Sequence, residues 1–405
     1  MVQKNIVALV DIGSAETKVL LVRLASQVEI IGVHTAPTEG LSKGEITDIR
    51  RLMERVHTTI SEAEKTCELS GSVHRACLSL SGMSLVGQQV KGTTCCESEN
   101  EVVGEKDIEM ARGNAYSKRV ANGKVIVHRI KQSFTLDGKF MDNPEGRVGR
   151  ELAYNMWVMA ADKTYLTELI QIPNQYGMRV EEVFAASLVS AAAVETRSAT
   201  TDKNRLVIDI GAGTTDYILY QDGMVRMTGV IPVGGRHLTN DISCALCISE
   251  ADAEAAKIKH ARAIVEDADV EANFGLSEEP VDSMLYDLSN RHSTFKLNFV
   301  THLRVKEIFE LIREKIGKDT PVGFVRLTGG TAHLPEIERV AAEIFGAETS
   351  VSFPEHAFAK KLCADPKFST VVGMAELLLR RRLGALRARA EQSFWTRLKK
   401  TLFNL

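Results

Sequence analysis

Residues 6–22 read IVALVDIGSAETKVLLV, and residues 206–220 read LVIDIGAGTTDYILY. In both stretches an apolar run ends in Asp-Ile-Gly, small or hydroxyl residues follow, and a second apolar run resumes. This pattern predicts two strands joined by a turn that contains glycine. The two motifs start at Asp11 and Asp209, 198 positions apart (209 − 11) in a chain of 405 residues. An offset of about half the chain favours two related halves over a short-period solenoid.

The two turns carry side chains that suit phosphate. Glycine lets backbone N–H groups approach phosphate oxygens that a Cβ would keep away. Lys18 offers a positive charge for a terminal phosphate, and the strand-ending carboxylates Asp11 and Asp209 can hold Mg²⁺ through water. One such turn is usually a simple hairpin, but two copies and the Gly-Gly pair at 329–330 together predict a nucleotide site. The two hairpins can clamp a triphosphate, and the Gly-Gly turn can admit a base. The hydroxyl groups that can add donors belong to Ser14, Thr17, Thr214 and Thr215.

The net charge of −3, from 50 Lys+Arg and 53 Asp+Glu, averages two unequal parts. Residues 380–405 hold eight basic residues and one acid, or +7, so residues 1–379 carry −10 (−3 − 7). An acidic body argues against a nucleic-acid-binding surface, which needs clustered Lys and Arg. The 44% hydrophobic and 25% charged content is typical of a soluble globular protein. Apolar runs are shorter than the ~20 residues of a spanning helix, and residues 1–11 predict a buried strand, not a signal peptide.

The seven cysteines predict no disulfide framework, because their number is odd and their spacing irregular. Cys244 and Cys247 form a C-x-x-C pair, yet no second pair or nearby histidine cluster completes a zinc site. Apolar residues recur at helical spacing between 242 and 248. We therefore expect core thiols in a reducing cytoplasm. The roles of this pair and of Cys95 and Cys96 stay open.

Between the repeats, residues 85–160 are less apolar and rich in turn signals, which predicts a small α/β insert. Short strands are expected at 125–127 and 132–136, around one helix near 105–121. Further predicted elements are a helix over 163–176 followed by Gly177, a helix capped by Ser249, an amphipathic helix over 295–316 and a strand over 323–328.

The last twelve residues, 394–405, have the pattern of an amphipathic helix. At about 100° per residue, one apolar arc contains Phe394, Trp395, Leu398, Leu402 and Leu405. The basic residues outside that arc are Arg397, Lys399 and Lys400. Twelve residues make about 18 Å of helix, enough to lie in a membrane interface but not to span it. We expect binding to an anionic membrane surface; docking on the protein's own core or in a dimer is the alternative.

These motifs resemble the actin/Hsp70/sugar-kinase ATPase superfamily. Residues 11–18 look like its first phosphate loop, residues 209–216 like its second, and residues 327–332 like its adenosine motif. The stretches 183–187 and 371–376 resemble the two small-residue helices that pack between its halves, although small residues also suit ordinary close packing.

Within the superfamily, the chain is similar to the FtsA family of bacterial division proteins. The resemblance rests on the insert at 85–160, the run 249–260 and the basic, amphipathic end. It implies an α/β, actin-like fold with two ribonuclease H-like halves, a small α/β insert and a C-terminal amphipathic helix. The implied parts are subdomain 1A (1–84 and 161–195), the insert 1C (85–160), 2A (196–240 and 311–380), 2B (241–310), a basic linker (381–393) and the helix (394–405).

The resemblance also implies cofactors, ATP and Mg²⁺, with Asp11 and Asp209 holding the metal through water. Glu254 and Lys257 would flank the ribose and base; a solvated helix face is the alternative. The remaining implied nucleotide-binding residues are Gly13, Ser14, Thr17, Lys18, Gly211, Ala212, Gly213, Thr214, Thr215, Gly235, Gly329, Gly330, Thr331 and His333.

Two positions depart from the superfamily pattern. Ala212 stands where a glycine is usual, which is compatible with binding if its φ is negative. An alanine near Ala185 stands where actin places a glutamine that orients the attacking water. Because positioning that water is a large part of the catalysis, we expect tight ATP binding with weak or no ATPase activity.

The implied function is a filament-forming ATP-binding protein on the cytoplasmic face of the inner membrane, at the division septum. It would tether the C-terminal peptide of the GTPase FtsZ and recruit later division proteins. Arg304 is the residue expected to contact the acidic FtsZ tail; an exposed helix charge is the alternative. The rival functions are a small-molecule kinase of the same superfamily and a type IV pilus actin-like ATPase, whereas Hsp70 is excluded by length.

Overall fold

The computed structural model describes residues 5–25, 27–67, 72–96, 100–194, 203–265, 291–354 and 364–383. The predicted amphipathic helix at 394–405 and most of the basic linker lie outside these ranges. Within them, no helix combines the length and the apolar character needed to cross a membrane.

The described ranges contain both strands and α-helices. The strands are β1 (Ile6–Ile12), β2 (Glu16–Leu24), β3 (Val28–Pro37), β4 (Leu41–Ser42), β5 (Glu45–Ile46), β6 (Arg75–Leu80), β7 (Val86–Cys95), β8 (Lys124–Leu136), β9 (Lys139–Met141), β10 (Glu151–Asp162), β11 (Arg179–Ala185), β12 (Arg205–Ile210), β13 (Thr215–Gln221), β14 (Met224–Ile231), β15 (Phe324–Thr328) and β16 (Glu348–Val351). The helices are α1 (Ile49–Lys65), α2 (Glu105–Tyr116), α3 (Lys163–Gln175), α4 (Ala186–Val194), α5 (Gly235–Leu246), α6 (Glu250–His260), α7 (Arg291–Ile316), α8 (Ile337–Phe345) and α9 (369–383).

The first half is built on a five-stranded sheet in the order β11-β6-β1-β2-β3. Strands β1 and β2 form the predicted hairpin, in which Asp11 lies opposite Lys18, and β6 runs parallel to β1 on the other side. β1 is buried along nearly its whole length. A central strand covered on both faces needs a continuous apolar run, which is what residues 6–10 supply.

The second half repeats this arrangement in a sheet of order β14-β13-β12-β15-β16. Its hairpin β12–β13 places Asp209 opposite Asp216, and β15 runs parallel to β12. The predicted duplication of the fold is therefore confirmed. The predicted subdomain boundaries at 240/241 and 310/311 lie inside α5 and α7.

The insert is a four-stranded sheet in the order β7-β10-β8-β9, with α2 packed on one face. Residues 125–127 and 132–136 were expected to form two strands, but they belong to the single strand β8. The polar residues between them still pair with β10, and bulges in the register absorb the irregular pattern. The helix expected over 105–121 ends at Tyr116.

Helices α4 and α9 pack against each other between the two halves. Their small residues allow a very close approach: a Cβ added at Gly373 would lie 1.7 Å from the carbonyl oxygen of Val189. The predicted small-residue packing thus corresponds to direct contact of the two helix backbones.

The expectation that Cys244 and Cys247 are core thiols is wrong, because both are exposed. Helix α5 buries the face that contains Leu238 and Ile242. Cys244 lies two residues beyond Ile242, about 200° around the helix, and so points away from that face. Cys247 has φ +52° and ends the helix in the left-handed conformation.

Candidate functional site

A cavity of about 550 Å³ lies between the two halves. Its walls come from the first loop (residues 12–16), the second loop (residues 210–214), the turn at 329–335 and helices α5 and α6. All the predicted nucleotide-binding residues except Thr17 and Thr215 line it. Residues widely separated in the sequence thus meet at one site, which is the arrangement that the internal repeat predicts.

Thr17 and Thr215 do not face the cavity. Both are fully buried at the same position of the repeat. The Thr17 hydroxyl is 2.8 Å from that of Thr38, and the Thr215 hydroxyl donates to the Val233 carbonyl at 2.8 Å. Successive side chains of a strand point to opposite faces, so the neighbouring Lys18 and Asp216 are the ones that reach the cavity.

Asp11 is held by two side chains at the end of β1. The Ser79 hydroxyl donates to its Oδ1 at 2.6 Å, and the Lys18 Nζ donates to its Oδ2 at 3.1 Å. Burial alone would lower the pKa of Lys18, but the nearby carboxylates of Asp11, Glu16 and Asp209 raise it overall. Lys18 therefore keeps a positive charge at neutral pH beside the cavity.

The second loop is braced by the N-terminus of α5. The backbone N–H groups of Gly235 and Arg236 donate to the carbonyls of Gly211 and Ala212 at 2.9 and 2.8 Å. Ala212 does not have a positive φ, so the condition set for an alanine at this position is met. The two loops also touch, since a Cβ at Gly213 would lie 2.4 Å from the Ser14 hydroxyl.

Asp209 faces the cavity beneath the helices between the halves. Its Oδ2 accepts hydrogen bonds from the hydroxyls of Ser190 on α4 and of Thr370 on α9, the latter at 3.2 Å. Burial raises the pKa of Asp209, and the charge of Asp11 adds to the rise, while the two hydroxyls and Lys18 act in the opposite direction. The position of α4 and α9 is thus linked directly to the orientation of this carboxylate.

Asp216 is a cavity residue that the sequence reasoning missed. It is 4% exposed, and Ser81 donates to its Oδ2 at 2.5 Å, while no described group hydrogen-bonds its buried Oδ1. Burial, together with the charges of Asp209 and Asp11, raises its pKa to about 8. The repeat could have identified it, because Asp216 lies opposite Asp209 as Lys18 lies opposite Asp11.

The far side of the cavity combines charged and apolar groups. Lys257 Nζ is 2.7 Å from Glu254 Oε2 and donates to the Gly235 carbonyl at 3.0 Å. His333 Nε2 lies 2.9 Å from Asp365 Oδ1. The apolar lining here consists of Leu238, Ile258, Leu334 and Pro335. A flat, partly apolar group such as a purine suits this wall, whereas phosphates suit the glycine loops opposite.

A second concavity lies between α5 and α7, and we call it the α5–α7 groove. It is lined by Asp241, Cys244, Ala245, Val300, Leu303, Arg304 and Glu307. Arg304 is engaged there: its guanidinium donates to Asp241 at 2.6 and 3.0 Å and also contacts Glu307. Arg304 is therefore a groove residue whose guanidinium lies between two carboxylates, and its side chain is 25% exposed.

No cluster of three or more His, Cys, Asp or Glu side chains suited to hold a metal by themselves occurs in the part of the chain that the structure describes. The carboxyl groups of Asp11 and Asp209 nevertheless face one cavity from both halves. Oxygen donors of this kind suit Mg²⁺, which commonly takes one or two carboxylates and completes its shell with water and phosphate oxygens. The residues present therefore fit a magnesium nucleotide.

Comparisons with known proteins give a consistent family. A family model described as cell division protein FtsA matches residues 206–373, and one described as the SHS2 domain inserted in FtsA matches residues 82–160. The cell division protein FtsA of Bacillus subtilis (strain 168) is 28% identical over 381 residues, covering 91% of this chain and 82% of the relative. That of Escherichia coli (strain K12) is 28% identical over 388 residues, covering 92% and 90%.

Solved structures agree at the level of the fold. A chain of the PilM-PilN type IV pilus biogenesis complex matches with a TM-score of 0.60 and 15% identity, over 90% of this chain and 96% of that one. The ethanolamine utilization protein EutJ from Carboxydothermus hydrogenoformans matches with a TM-score of 0.51 and 13% identity, over 91% and 88%. The actin-like halves, the insert between them and the matches over nine-tenths of the chain lead to one assignment: the chain belongs to the FtsA family of bacterial cell division proteins.

Proposed function

We propose that this chain is an ATP-binding, filament-forming protein of bacterial division that links FtsZ to the cytoplasmic face of the inner membrane at the septum. The proposed role in division rests on family membership, since the relatives described above are cell division proteins. The single observation that carries nucleotide binding is the cavity of about 550 Å³ lined by both glycine loops. Filament formation and the recruitment of later division proteins are parts of the proposal that follow from family membership.

Different parts of the cavity would bind the phosphates, the Mg²⁺, the ribose and the base of ATP. The first and second loops would hold the phosphates through backbone N–H groups, with Lys18 as the buried counter-charge. Asp11 and Asp209 would hold Mg²⁺ through water, and the metal would neutralise phosphate charge. Glu254 and Lys257 lie where they would meet the ribose, beside the apolar wall for the base.

Hydrolysis is proposed to be slow. Ala185, at the end of β11, is fully buried and its N–H donates to His128 Nε2 at 3.0 Å. Ala186, the next residue, lines the cavity. Neither methyl side chain can hydrogen-bond an attacking water, so these positions contribute no water-orienting group.

Replacing Lys18 by methionine is expected to weaken MgATP binding at least tenfold, because it removes the buried charge beside the phosphate loops while keeping the length of the side chain. Isothermal titration calorimetry of the full chain measures the affinity, and phosphate release from the same sample measures hydrolysis. Lys91→Met is the matched control, since Lys91 lies in the insert and pairs with Glu151 at 3.4 Å. Equal affinities in the two variants would contradict the assignment of the cavity.

We also propose that the FtsZ C-terminal peptide binds in the α5–α7 groove. The groove offers the apolar Val300 and Leu303 next to Arg304. Because Glu307 already contacts Arg304, an acidic peptide would have to displace it. Asp241, which is only 24% exposed, would keep the guanidinium in place through its two hydrogen bonds.

The membrane link is assigned to the basic linker and to residues 394–405, of which the structure describes only residues 381–383. Each basic residue near an anionic surface contributes about 1 kcal/mol, and filament formation would multiply weak single contacts. The helix 369–383 leads toward this end and is anchored on the first half, where Arg382 donates to the Leu24 carbonyl at 2.6 Å.

One vesicle co-sedimentation experiment tests both links. The full chain is expected to pellet with anionic phosphatidylglycerol vesicles and to carry a labelled FtsZ C-terminal peptide with it. Deleting 394–405 should abolish pelleting, whereas Arg304→Ala should lose only the peptide. Glu307→Gln should strengthen peptide binding, because it removes the competing carboxylate from Arg304.

Lys306→Ala is the matched control for charge, since Lys306 is on the same helix and outside the groove lining. Peptide retention by Arg304→Ala would refute the groove as the docking site. Undiminished pelleting of the shortened chain would refute the membrane assignment.

A further inference from the structure

The insert is bonded to the second half as well as to the first. The indole N–H of Trp157, on β10 of the insert, donates to the Thr228 hydroxyl on β14 at 3.0 Å. Both side chains are nearly buried, at 6% and 8% exposure. A buried indole N–H left without a partner is costly, so this hydrogen bond favours one seating of the insert on β14.

Further bonds lie beside this one. Gln132 on β8 donates to the Val225 carbonyl on β14. The Gln132 side chain is itself held by Gln89 of β7 at 2.8 Å. Strands β7 and β14 pack closely at Gly87, because a Cβ added to this glycine would lie 2.2 Å from the Thr228 hydroxyl. We call these residues of β7, β8, β10 and β14 the insert contact.

The insert contact is continuous with the apolar core. Trp157 belongs to the same buried cluster as Ile218, Tyr220 and Val225 of the second half, and Ile130 of the insert packs against that cluster. The core therefore passes from one half to the other through the base of the insert. Close-packed protein interiors have low compressibility and transmit a displacement instead of absorbing it.

The chain connects the insert contact to the cavity at both ends of the insert. Ser81, just before β7, bonds Asp216 in the cavity. Tyr165, three residues after β10, lines the cavity. On the other side, β13 begins directly after the second loop and pairs with β14, so that Ile218 lies opposite Thr228.

We propose that the insert contact couples the nucleotide cavity to the insert, so that closing of the two halves around a nucleotide shifts the insert, and a protein bound to the insert changes nucleotide affinity. This coupling depends on the nucleotide binding proposed above. Movement of the second loop would displace the β13–β14 hairpin, and β14 is hydrogen-bonded to Trp157 and Gln132. Coupling between two binding sites is reciprocal, so each ligand must change the affinity of the other by the same factor.

Trp157 is its own reporter, because the chain has two tryptophans and the other is Trp395. In the full chain carrying Trp395→Phe, MgATP is expected to change the Trp157 emission with the same Kd that calorimetry measures. Thr228→Val keeps the shape of the side chain but removes the hydroxyl that accepts from Trp157. This variant should abolish the emission change and shift the Kd for MgATP by at least threefold. Thr228→Ser retains a hydroxyl and should restore both.

Thr93→Val is the matched control, since Thr93 is an exposed residue on the same insert sheet, and it should leave both signals unchanged. Binding heat without any change in Trp157 emission would overturn the coupling and leave nucleotide binding intact. Absence of binding heat would overturn the proposed nucleotide binding and the coupling with it.

Discussion

Gly373→Ala should unfold at a temperature roughly 3–4 °C or more below the wild type, from a destabilisation of about 3 kcal/mol or more. The added Cβ would lie 1.7 Å from the Val189 carbonyl oxygen, and a backbone atom inside a packed helix cannot move aside as a flexible side chain can. Helices α4 and α9 would have to separate. Because Thr370 on α9 and Ser190 on α4 both bond Asp209, the same separation should weaken MgATP binding.

Gly113→Ala provides the contrast within the same protein. Gly113 lies inside α2, and a Cβ there would meet nothing within 4 Å. Alanine is the better helix residue, so this variant should be more stable by about 0.5–1 kcal/mol. Differential scanning calorimetry of the two variants compares them directly. A Gly373→Ala melting temperature equal to that of Gly113→Ala would show that the helices are not in backbone contact.

Raising the pH from 5.5 to 7.5 is expected to destabilise the nucleotide-free protein through Asp216. Burial raises the pKa of Asp216 in the folded protein to about 8, well above the ordinary value of 3.8 that it has in the unfolded chain. The folded protein therefore holds a proton that unfolding releases. This contribution to stability is complete below pH 4 and is lost as the pH rises toward 8, by up to about 1.4 kcal/mol per pH unit.

Asp216→Asn should remove this dependence, because the amide is neutral at every pH and its oxygen can still accept from Ser81. The urea midpoint of the variant should change less than that of the wild type between pH 5.5 and 7.5. The comparison cancels other titrating groups, such as His128, whose pKa burial lowers to about 4. Burial of neutral His128 stabilises the fold above pH 6.5, and this contribution is lost as the pH falls toward 4, so it acts in the opposite direction.

Asp137→Asn is the control for this experiment. The Asp137 carboxylate accepts hydrogen bonds from the backbone N–H groups of Glu151 and Arg150, which lower its pKa. Its contribution to stability is therefore lost only in acid, below the pH range of the experiment. Parallel pH profiles for the wild type and Asp216→Asn would show that Asp216 is already ionised in the folded protein.

The hairpins were predictable because a fully buried strand has a distinctive apolar run and a glycine turn ends it. The cavity residues on those turns followed, since the two halves are copies. Thr17 and Thr215 were placed wrongly at the cavity because residue type alone does not tell which face of a strand a hydroxyl occupies. Asp216 was missed for the same reason, although its register opposite Asp209 was implicit in the repeat.

Features that depend on distant packing were beyond the reach of sequence patterns. Cys244 has apolar neighbours but points away from the buried face of its helix. Arg304 was expected to contact an acidic peptide, with an exposed helix charge as the alternative, but no sequence pattern predicted its hydrogen bonds to Asp241, 63 residues away in the chain. Such contacts depend on how α5 and α7 cross, and local periodicity carries no information about that crossing.

The two glycine hairpins and their duplication were predictable from the chain alone, because hydrophobic periodicity and turn chemistry are local properties, whereas the family followed from the resemblance of the motifs. Tertiary packing was needed to show which side chains of those hairpins meet across the cavity, that Asp216 is buried at that cavity, and that Trp157 links the insert to the second half. Burial and desolvation depend on everything that surrounds a group, so they exist only once the halves and the insert have packed together.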